Sequence, residues 1–321
     1  MERKRVIITE YIDPAGLEIL SRCCDLVYLP DKRRVKLANV IGEASGIGVR
    51  LTPITAELIA AAPRLKVIAK HGVGYDNIDV SAATSRRIAV VFTPRANAVS
   101  VSEHILSLML CLANRICMAN ADLKAGRFKQ REDYLGMELK GKTLGIIGLG
   151  RIGSETARKC KSAFGMNVMV YDPYLSAQTF ELTGYRRVDD PGPLLETADV
   201  VVLCVPLTEA TANMIGAGEL ARMKPTALLV NTSRGGLVDE SALHDALVDG
   251  RIAGAAMDTF VNEPVSPDNP LLSLANFIAT PHVAGATGEA MRRMATDLAE
   301  EIVRVLNGER PLYPVNPEIY E

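Results

Sequence analysis

Short apolar runs alternate along the chain with stretches whose apolar positions recur at helical spacing. Val6–Thr9, Cys24–Tyr28, Gly46–Val49, Val67–Ala69 and Ile88–Phe92 read as β-strands: each is short, apolar and bounded by polar or turn residues. Between them, Pro14–Leu20 opens behind Asp13, a capping residue followed by proline at the first helical position. Thr55–Ala62 and Ser81–Ser85 are further helices. From Ser100 to Gly126 the pattern predicts one long helix, apolar at Val101, Ile105, Leu108, Met109, Leu112, Ile116 and Ala119. A second strand series follows: Thr143–Ile147, Asn167–Tyr171, Val200–Val205, Ala227–Asn231, Gly254–Asp258 and Phe277–Ala279. A helix over Thr287–Leu306 and a Pro-containing tail close the chain. Strands alternating with helices build parallel sheets, which bind ligands beyond the carboxyl ends of their strands.

Composition narrows the function classes. The chain has 321 residues, 48% hydrophobic and 23% charged, a mix for ordered globular structure. At about 150 residues per domain the length suggests two domains. A formal charge of −2, no Trp and 5% aromatics supply neither the basic field nor the stacking platforms of a nucleic-acid binder. No polybasic patch or signal peptide is legible, and the run Ile105–Ala119 is interrupted by Asn114 and Arg115, so no membrane partner is expected. Six cysteines (Cys23, Cys24, Cys111, Cys117, Cys160 and Cys204) form no CxxC pair. Reduced, mostly buried thiols in a cytoplasmic protein are expected. Four histidines, none at i, i+4 spacing, give no support to a metal site.

The most legible unit is Gly148-Leu149-Gly150-Arg151-Ile152-Gly153, set between the strand Thr143–Ile147 and a helix over Ser154–Phe164. Asp172 ends the next strand, 19 residues after Gly153. This is the dinucleotide fingerprint: Gly148 makes the turn, Gly150 lets a pyrophosphate approach the backbone, and Gly153 lets helix and strand pack closely. The helix N-terminus offers free N–H groups to phosphate, with Arg151 and Ile152 in the turn before it also expected at the cofactor. A carboxylate at Asp172 accepts from ribose hydroxyls and repels a 2′-phosphate, so NAD is expected over NADP. Because the fingerprint begins only at Gly148 and the last helix follows the final strand of its sheet, the domains are expected to be nested. Residues 1–98 with 288–321 form one, and 99–287 the other.

Three segments place polar residues at the ends of later strands. They are Asn231-Thr232-Ser233-Arg234-Gly235-Gly236, Asn262-Glu263-Pro264 and Pro281-His282-Val283-Ala284-Gly285. Each alone has an ordinary explanation: a surface arginine, a solvated acid, a capping histidine. Together they supply a cation, an acid and an imidazole at the edge where a nicotinamide would lie, which is what hydride transfer to a 2-oxo acid requires.

Several motifs occur in order over nearly the whole chain: His71-Gly72-Val73-Gly74-Tyr75-Asp76-Asn77-Ile78-Asp79, Thr93-Pro94 with Asn97, Val101-Ser102-Glu103-His104, Gly145–Gly153, Tyr171-Asp172-Pro173, Pro206-Leu207-Thr208 and the three segments above. In these the chain resembles the D-2-hydroxyacid dehydrogenase family, especially its 3-phosphoglycerate dehydrogenase-like branch in a short form without a regulatory domain. The resemblance implies an α/β protein of two doubly wound parallel-sheet domains, a flavodoxin-like substrate domain and a Rossmann NAD-binding domain, with a cleft between them. It implies a catalytic triad of Arg234, Glu263 and His282. Arg234 would hold the substrate carboxylate and carbonyl oxygen with a planar fork. His282 would donate to that oxygen, and Glu263 would orient the ring and offset its charge. The backbone at Val73 and Gly74 would hold the carboxylate, and Val205, Thr232, Ser233, Asp258 and Gly285 would line the nicotinamide pocket, Asp258 as acceptor for its amide. Homodimer pairing through the NAD-binding domain, with the Ser100–Gly126 helix as contact, is implied as well.

Substrate choice rests on Arg50 and Lys70, which follow strands on the catalytic side. By the resemblance either could face a phosphate; otherwise both are solvated loop cations. The Ser that often follows the Arg in that branch is Leu51 here. The first expectation is NAD-dependent interconversion of a D-2-hydroxy acid and its 2-oxo acid, D-3-phosphoglycerate or a close relative. The second is reduction of hydroxypyruvate or glyoxylate. From a different class stands an NAD(H)-gated binding protein, like the corepressors that share this fold and triad. His104 and His244 are expected to be a satisfied structural histidine and an exposed one.

Overall fold

A computed structural model describes residues 3–29 and 36–321. Residues 1–2 and 30–35, which fall in the expected first domain, lie outside the described residues. The chain divides into two compact units, Met1–Asn97 with Ala286–Glu321, and Ala98–Gly285.

The first unit is built on strands β1 (Arg5–Ile8), β2 (Asp25–Tyr28), β3 (Gly46–Val49), β4 (Val67–Lys70) and β5 (Ala89–Val91), with helices α1 (Pro14–Cys23), α2 (Ala56–Ala60) and α3 (Val80–Ser85) between them. All pairings are parallel, in the order β2-β1-β3-β4-β5. This is the flavodoxin-like winding, with its switch point between β1 and β3. Alternate residues of the apolar runs serve opposite faces. Val6, Ile8, Val67 and Ala69 pack toward α1 and the C-terminal helix α11 (Gly288–Leu306), whereas Ile7, Ile47, Val49 and Ile68 pack toward α2 and α3. Both faces are covered, which is why these strands read as continuous apolar runs. Gly16 lets α1 cross α11 closely; a Cβ there would sit 2.5 Å from the Ala295 carbonyl oxygen.

The second unit begins with α4 (Ala98–Ala113) and α5 (Ile116–Lys124). The sequence predicted one helix here, and the structure bends it by 64°. Arg115 adopts the left-handed conformation (φ 52°). The Ala113 carbonyl accepts from the Met137 N–H (2.8 Å), drawing the 136–137 backbone onto the helix end. A Cβ on Gly136 would lie 2.4 Å from that same oxygen, so only glycine permits the approach. α4 is a core helix, burying Val101, Ile105, Leu108 and Met109. Among the described residues no single helix is long and apolar enough to cross a membrane.

Seven parallel strands follow: β6 (Thr143–Ile147), β7 (Asn167–Tyr171), β8 (Arg186–Val188), β9 (Val200–Leu203), β10 (Leu228–Asn231), β11 (Gly254–Met257) and β12 (Phe277–Ala279). Their order is β12-β11-β10-β9-β6-β7-β8, the doubly wound arrangement of dinucleotide-binding sheets. Helices α6 (Arg151–Phe164), α7 (Ala177–Thr183), α8 (Pro191–Thr197), α9 (Ala217–Arg222) and α10 (Glu240–Val248) connect them. β8 escaped the sequence reading because two of its three residues are exposed arginines on the sheet edge, which carry no hydrophobic signal.

Candidate active site

In the second unit the Gly-rich turn leaves β6 and enters α6, one turn earlier than the sequence pattern suggested. Its glycines face different constraints. Gly148 has φ +94°, and a Cβ there would lie 2.6 Å from the Cys204 carbonyl oxygen. A Cβ on Gly153 would stand 2.1 Å from the Gly148 carbonyl oxygen, so helix and turn meet backbone to backbone. A Cβ on Gly150 would meet nothing within 4 Å, so the space above that residue is open. Arg151 is exposed and Ile152 half-buried at the first turn of α6. Asp172, just past β7, accepts from the Leu149 N–H (2.8 Å) through one oxygen and the Tyr174 N–H (3.0 Å) through the other. It thereby ties the turn to the neighbouring strand end.

Beyond β10, Asn231 is fully buried and closes the next turn: its amide donates to the Arg234 carbonyl (2.8 Å) and its Oδ1 accepts from the Ser233 N–H (3.0 Å). Ser233 Oγ donates to the Leu203 carbonyl, linking the turn to the end of β9, beyond which Val205 stands half-buried. Thr232 Oγ1 is buried with no hydrogen-bond partner among the described residues. Gly235 then runs against the next loop; a Cβ there would lie 2.0 Å from the Phe260 carbonyl carbon. That contact brings the Arg234 turn beside the loop carrying Glu263.

Glu263 and His282, 19 positions apart, are joined directly: His282 Nδ1 and Glu263 Oε2 lie 2.8 Å apart, and Glu263 Oε1 accepts from the Phe260 N–H (3.0 Å). Burial pushes the Glu263 carboxyl up, but the bond from His282, the Phe260 N–H and the charges of His282 and Arg234 together hold it below the ordinary range. The carboxylate is therefore ionised at neutral pH and spends its charge on the ring. The other face of His282 is open, its side chain being 39% exposed. His282 itself has φ +54°, a strained value for a non-glycine residue.

Several sequence expectations need correction. Asp258 is wholly buried, and its oxygens accept from Thr280 Oγ1 (2.6 Å), the Val283 N–H (2.9 Å) and the Ala284 N–H (2.9 Å). In this structure its oxygens hold the His282 loop from inside the fold; Gly285, next in that loop, is half-buried. Lys70 is neither a loop cation nor open to an anion. It is 8% exposed, and its ammonium donates to the Arg50 carbonyl and to Asn77 Oδ1. His244 is half-buried beside Asp245 (3.2 Å) instead of exposed. Cys23 and Cys117 are exposed, whereas Cys24 and Cys160 are buried, and burial pushes the Cys160 thiol up to about 12.

The first unit presents Val73 and Gly74, both half-buried, beyond β4. The preceding Gly72 turns at φ +138° and donates to Thr93 Oγ1 (2.9 Å). Arg50 follows β3, half-buried at the start of a loop whose rigidity no local pattern predicts. Glu10, at the end of the adjacent β1, accepts from the N–H groups of Arg50 (2.8 Å), Leu51 (2.9 Å) and Thr52 (2.6 Å) and from Thr52 Oγ1 (2.8 Å). Sequence reasoning missed Glu10 and Thr280. Their spacing carries no signal, and only the topology brings them to the site residues.

A family model described as the NAD binding domain of D-isomer specific 2-hydroxyacid dehydrogenases matches residues 106–284, inside the second unit. The chain is 45% identical over 306 residues to the D-3-phosphoglycerate dehydrogenase of Archaeoglobus fulgidus, covering 95% of this chain and 58% of that protein. The chain belongs to the D-isomer specific 2-hydroxyacid dehydrogenase family. It is 39% identical to the glyoxylate reductase of Thermofilum pendens, over 99% of this chain and 96% of that protein. Among solved structures it is similar to an NADPH-dependent glyoxylate/hydroxypyruvate reductase of Sinorhizobium meliloti in complex with NADP and malonate (TM-score 0.85, 31% identity, 98% and 97% of the two chains). The chain thus spans somewhat more than half the length of the curated phosphoglycerate dehydrogenase it matches.

The second unit fits the family's dinucleotide. The open space at Gly150, the N-terminus of α6, Asp172 at the end of β7 and the unpartnered Thr232 hydroxyl form a cradle on one edge of the sheet.

Proposed function

We propose that the protein is an NAD-dependent oxidoreductase that interconverts a D-2-hydroxy acid and its 2-oxo acid. The observation that carries this reading is the Glu263–His282 pair at 2.8 Å beside the Arg234 turn, in a chain of this family. Gly148, Gly150, Arg151, Ile152, Gly153, Asp172, Val205, Thr232, Ser233 and Gly285 would hold the dinucleotide, with Asp258 shaping the nicotinamide end from beneath. When bound, NAD(H) supplies or accepts the hydride. Arg234 binds the carboxylate and the carbonyl oxygen of the substrate through its planar fork. His282 donates a proton from Nε2 to that oxygen in reduction and takes it back in oxidation, while Glu263 holds Nδ1 and offsets the ring's charge. Val73 and Gly74 offer backbone N–H groups to an anion. Asp172 repels a 2′-phosphate, which favours NAD over NADP.

The preferred substrate is D-3-phosphoglycerate or a close relative, with the Arg50 guanidinium as partner for the second anion. The second reading, hydroxypyruvate or glyoxylate reduction, is favoured by the match over 96% of the Thermofilum protein. We place the enzyme in the cytoplasm as a homodimer paired through the NAD-binding domain.

A panel of phosphorylated and unphosphorylated 2-oxo acids with NADH tests the function. Turnover is expected to prefer phosphorylated substrates in wild type and to lose that preference in Arg50→Ala. His282→Ala should lose most of kcat, about 100-fold or more, with NADH affinity kept. NADH binding with no turnover of any acid would point to the binding-protein class instead.

A further inference from the structure

His104, a half-buried histidine on α4 and 178 positions before His282 in the chain, has no part in the proposed hydride transfer. We infer that His104 is a positioning residue for His282, acting through Thr280 and Asp258. The inference rests on the proposed reaction only for its kinetic readout.

The bond pattern fixes the direction of the chain. Thr280 Oγ1 lies 2.6 Å from Asp258 Oδ1, and a carboxylate oxygen only accepts, so the Thr280 hydroxyl must donate there. Its remaining role is to accept, and the atom facing it is His104 Nε2 at 3.0 Å. His104 therefore carries its proton on Nε2 and donates it to Thr280. The same nitrogen stands 3.7 Å from Asp258 Oδ1. The imidazole thus caps a hydroxyl–carboxylate pair that it also faces directly.

Asp258 is what the catalytic loop is wound around. Its two oxygens gather the N–H groups of Val283 and Ala284, and its main-chain carbonyl accepts from the His282 N–H (2.8 Å). The Thr280 carbonyl takes the same His282 N–H at 3.0 Å. His282 sits at the centre of these contacts in a left-handed conformation (φ +54°), which persists only where its surroundings hold it. That twist aims Nδ1 at Glu263 and leaves the rest of the ring outward. With the Asp258 side chain enclosed completely, the orientation of its carboxylate is set by its partners, and His104 and Thr280 supply the one side-chain arm among them. α4 packs across β10, β11 and β12, so this arm rests on a rigid helix.

The test compares His104→Leu, which removes the donor, with His104→Gln, whose amide N–H reaches in the same direction. Two readouts are taken: steady-state kinetics on whichever 2-oxo acid wild type reduces, and the 15N–1H signals of the His282 ring in the dinucleotide-free protein. His104→Leu should lower kcat about tenfold, the scale of one hydrogen bond, with KM for NADH within about twofold. The Nδ1–H signal toward Glu263 should broaden or move. His104→Gln should restore both to near wild type. Wild-type kcat and an unchanged His282 signal in His104→Leu would overturn the inference, as would equal loss in both variants with unaltered ring signals, which marks a general packing role. If wild type reduces no acid, the proposed function fails, and the ring signals still decide the role of His104. If His104→Leu does not fold, Thr280→Val, which removes the same arm, must give the same ring shift.

Discussion

His71 is buried just past the end of β4, its ring closed off from water. Burial, reinforced by the positive charge of Arg50, pushes it down to about 4. An unfolded histidine titrates near 6.5, so between that value and about 4 the unfolded chain takes up a proton that the folded chain refuses. Its contribution to stability is complete above about pH 6.5 and is lost as pH falls through that window. The neighbouring Glu10 works lower on the scale. Its burial would raise the carboxyl, but donors from Thr9, Arg50, Thr52 and Leu51 hold it at about 2, so its stabilisation fades between 4.5 and 2. We expect His71→Asn to flatten the pH dependence of the unfolding free energy, read from urea titrations between pH 6.5 and 4, by up to about 3 kcal/mol at the acid end. A slope equal to that of wild type would show that another group sets the acid sensitivity.

At the level of the element, the strand–turn–helix unit separates stability from binding. Gly153 and Gly150 belong to one motif but face opposite demands: the first has the Gly148 carbonyl where a Cβ would go, the second has open space and a φ of −66° that any residue adopts. Gly153→Ala should therefore cost several kcal/mol of stability, roughly 2–4, because backbone must move away from backbone. Gly150→Ala should leave Tm almost unchanged while weakening NADH binding about tenfold or more, since its methyl group enters the space kept for the pyrophosphate. Thermal melts and fluorescence titration of the pair check this, and equal effects on both readouts would refute the division. The α4–α5 bend belongs to the same scale. Periodicity across Asn114 and Arg115 is unbroken, and the break comes from a distant segment, 136–137, docking on the end of α4.

On the scale of the whole molecule, α5 and the segment after it leave apolar side chains in solvent: Phe128 is 93% exposed, Leu135 69%, Leu123 63% and Ile116 50%. The segment is not loose. Buried Asp122 accepts from Arg127, Lys129 and the Tyr134 hydroxyl, which pins residues 127–134 to α5. An ordered apolar surface of this kind supports the proposed homodimer, and it narrows the expected contact along Ser100–Gly126 to α5, extended by the segment beyond. Sedimentation at micromolar concentration should show a dimer for wild type and a monomer of unchanged circular dichroism for Phe128→Glu with Leu135→Glu. A monomeric wild type would exclude the pairing.

Taken alone, the sequence determined what is local. Apolar runs and their spacing located eleven of the twelve strands, and glycine spacing with Asp172 marked the dinucleotide turn, because strand burial and turn chemistry are written in neighbouring residues. Polar residues at strand ends pointed to Arg234, Glu263 and His282 for the same reason. What the sequence could not decide is which side chain a polar group meets. Lys70 looks identical to a loop cation until Asn77 and the Arg50 carbonyl close on it, and His104 meets Thr280 across 176 positions. Hydrogen-bond partners and burial are properties of packed elements, and packing is settled only when the sheets assemble.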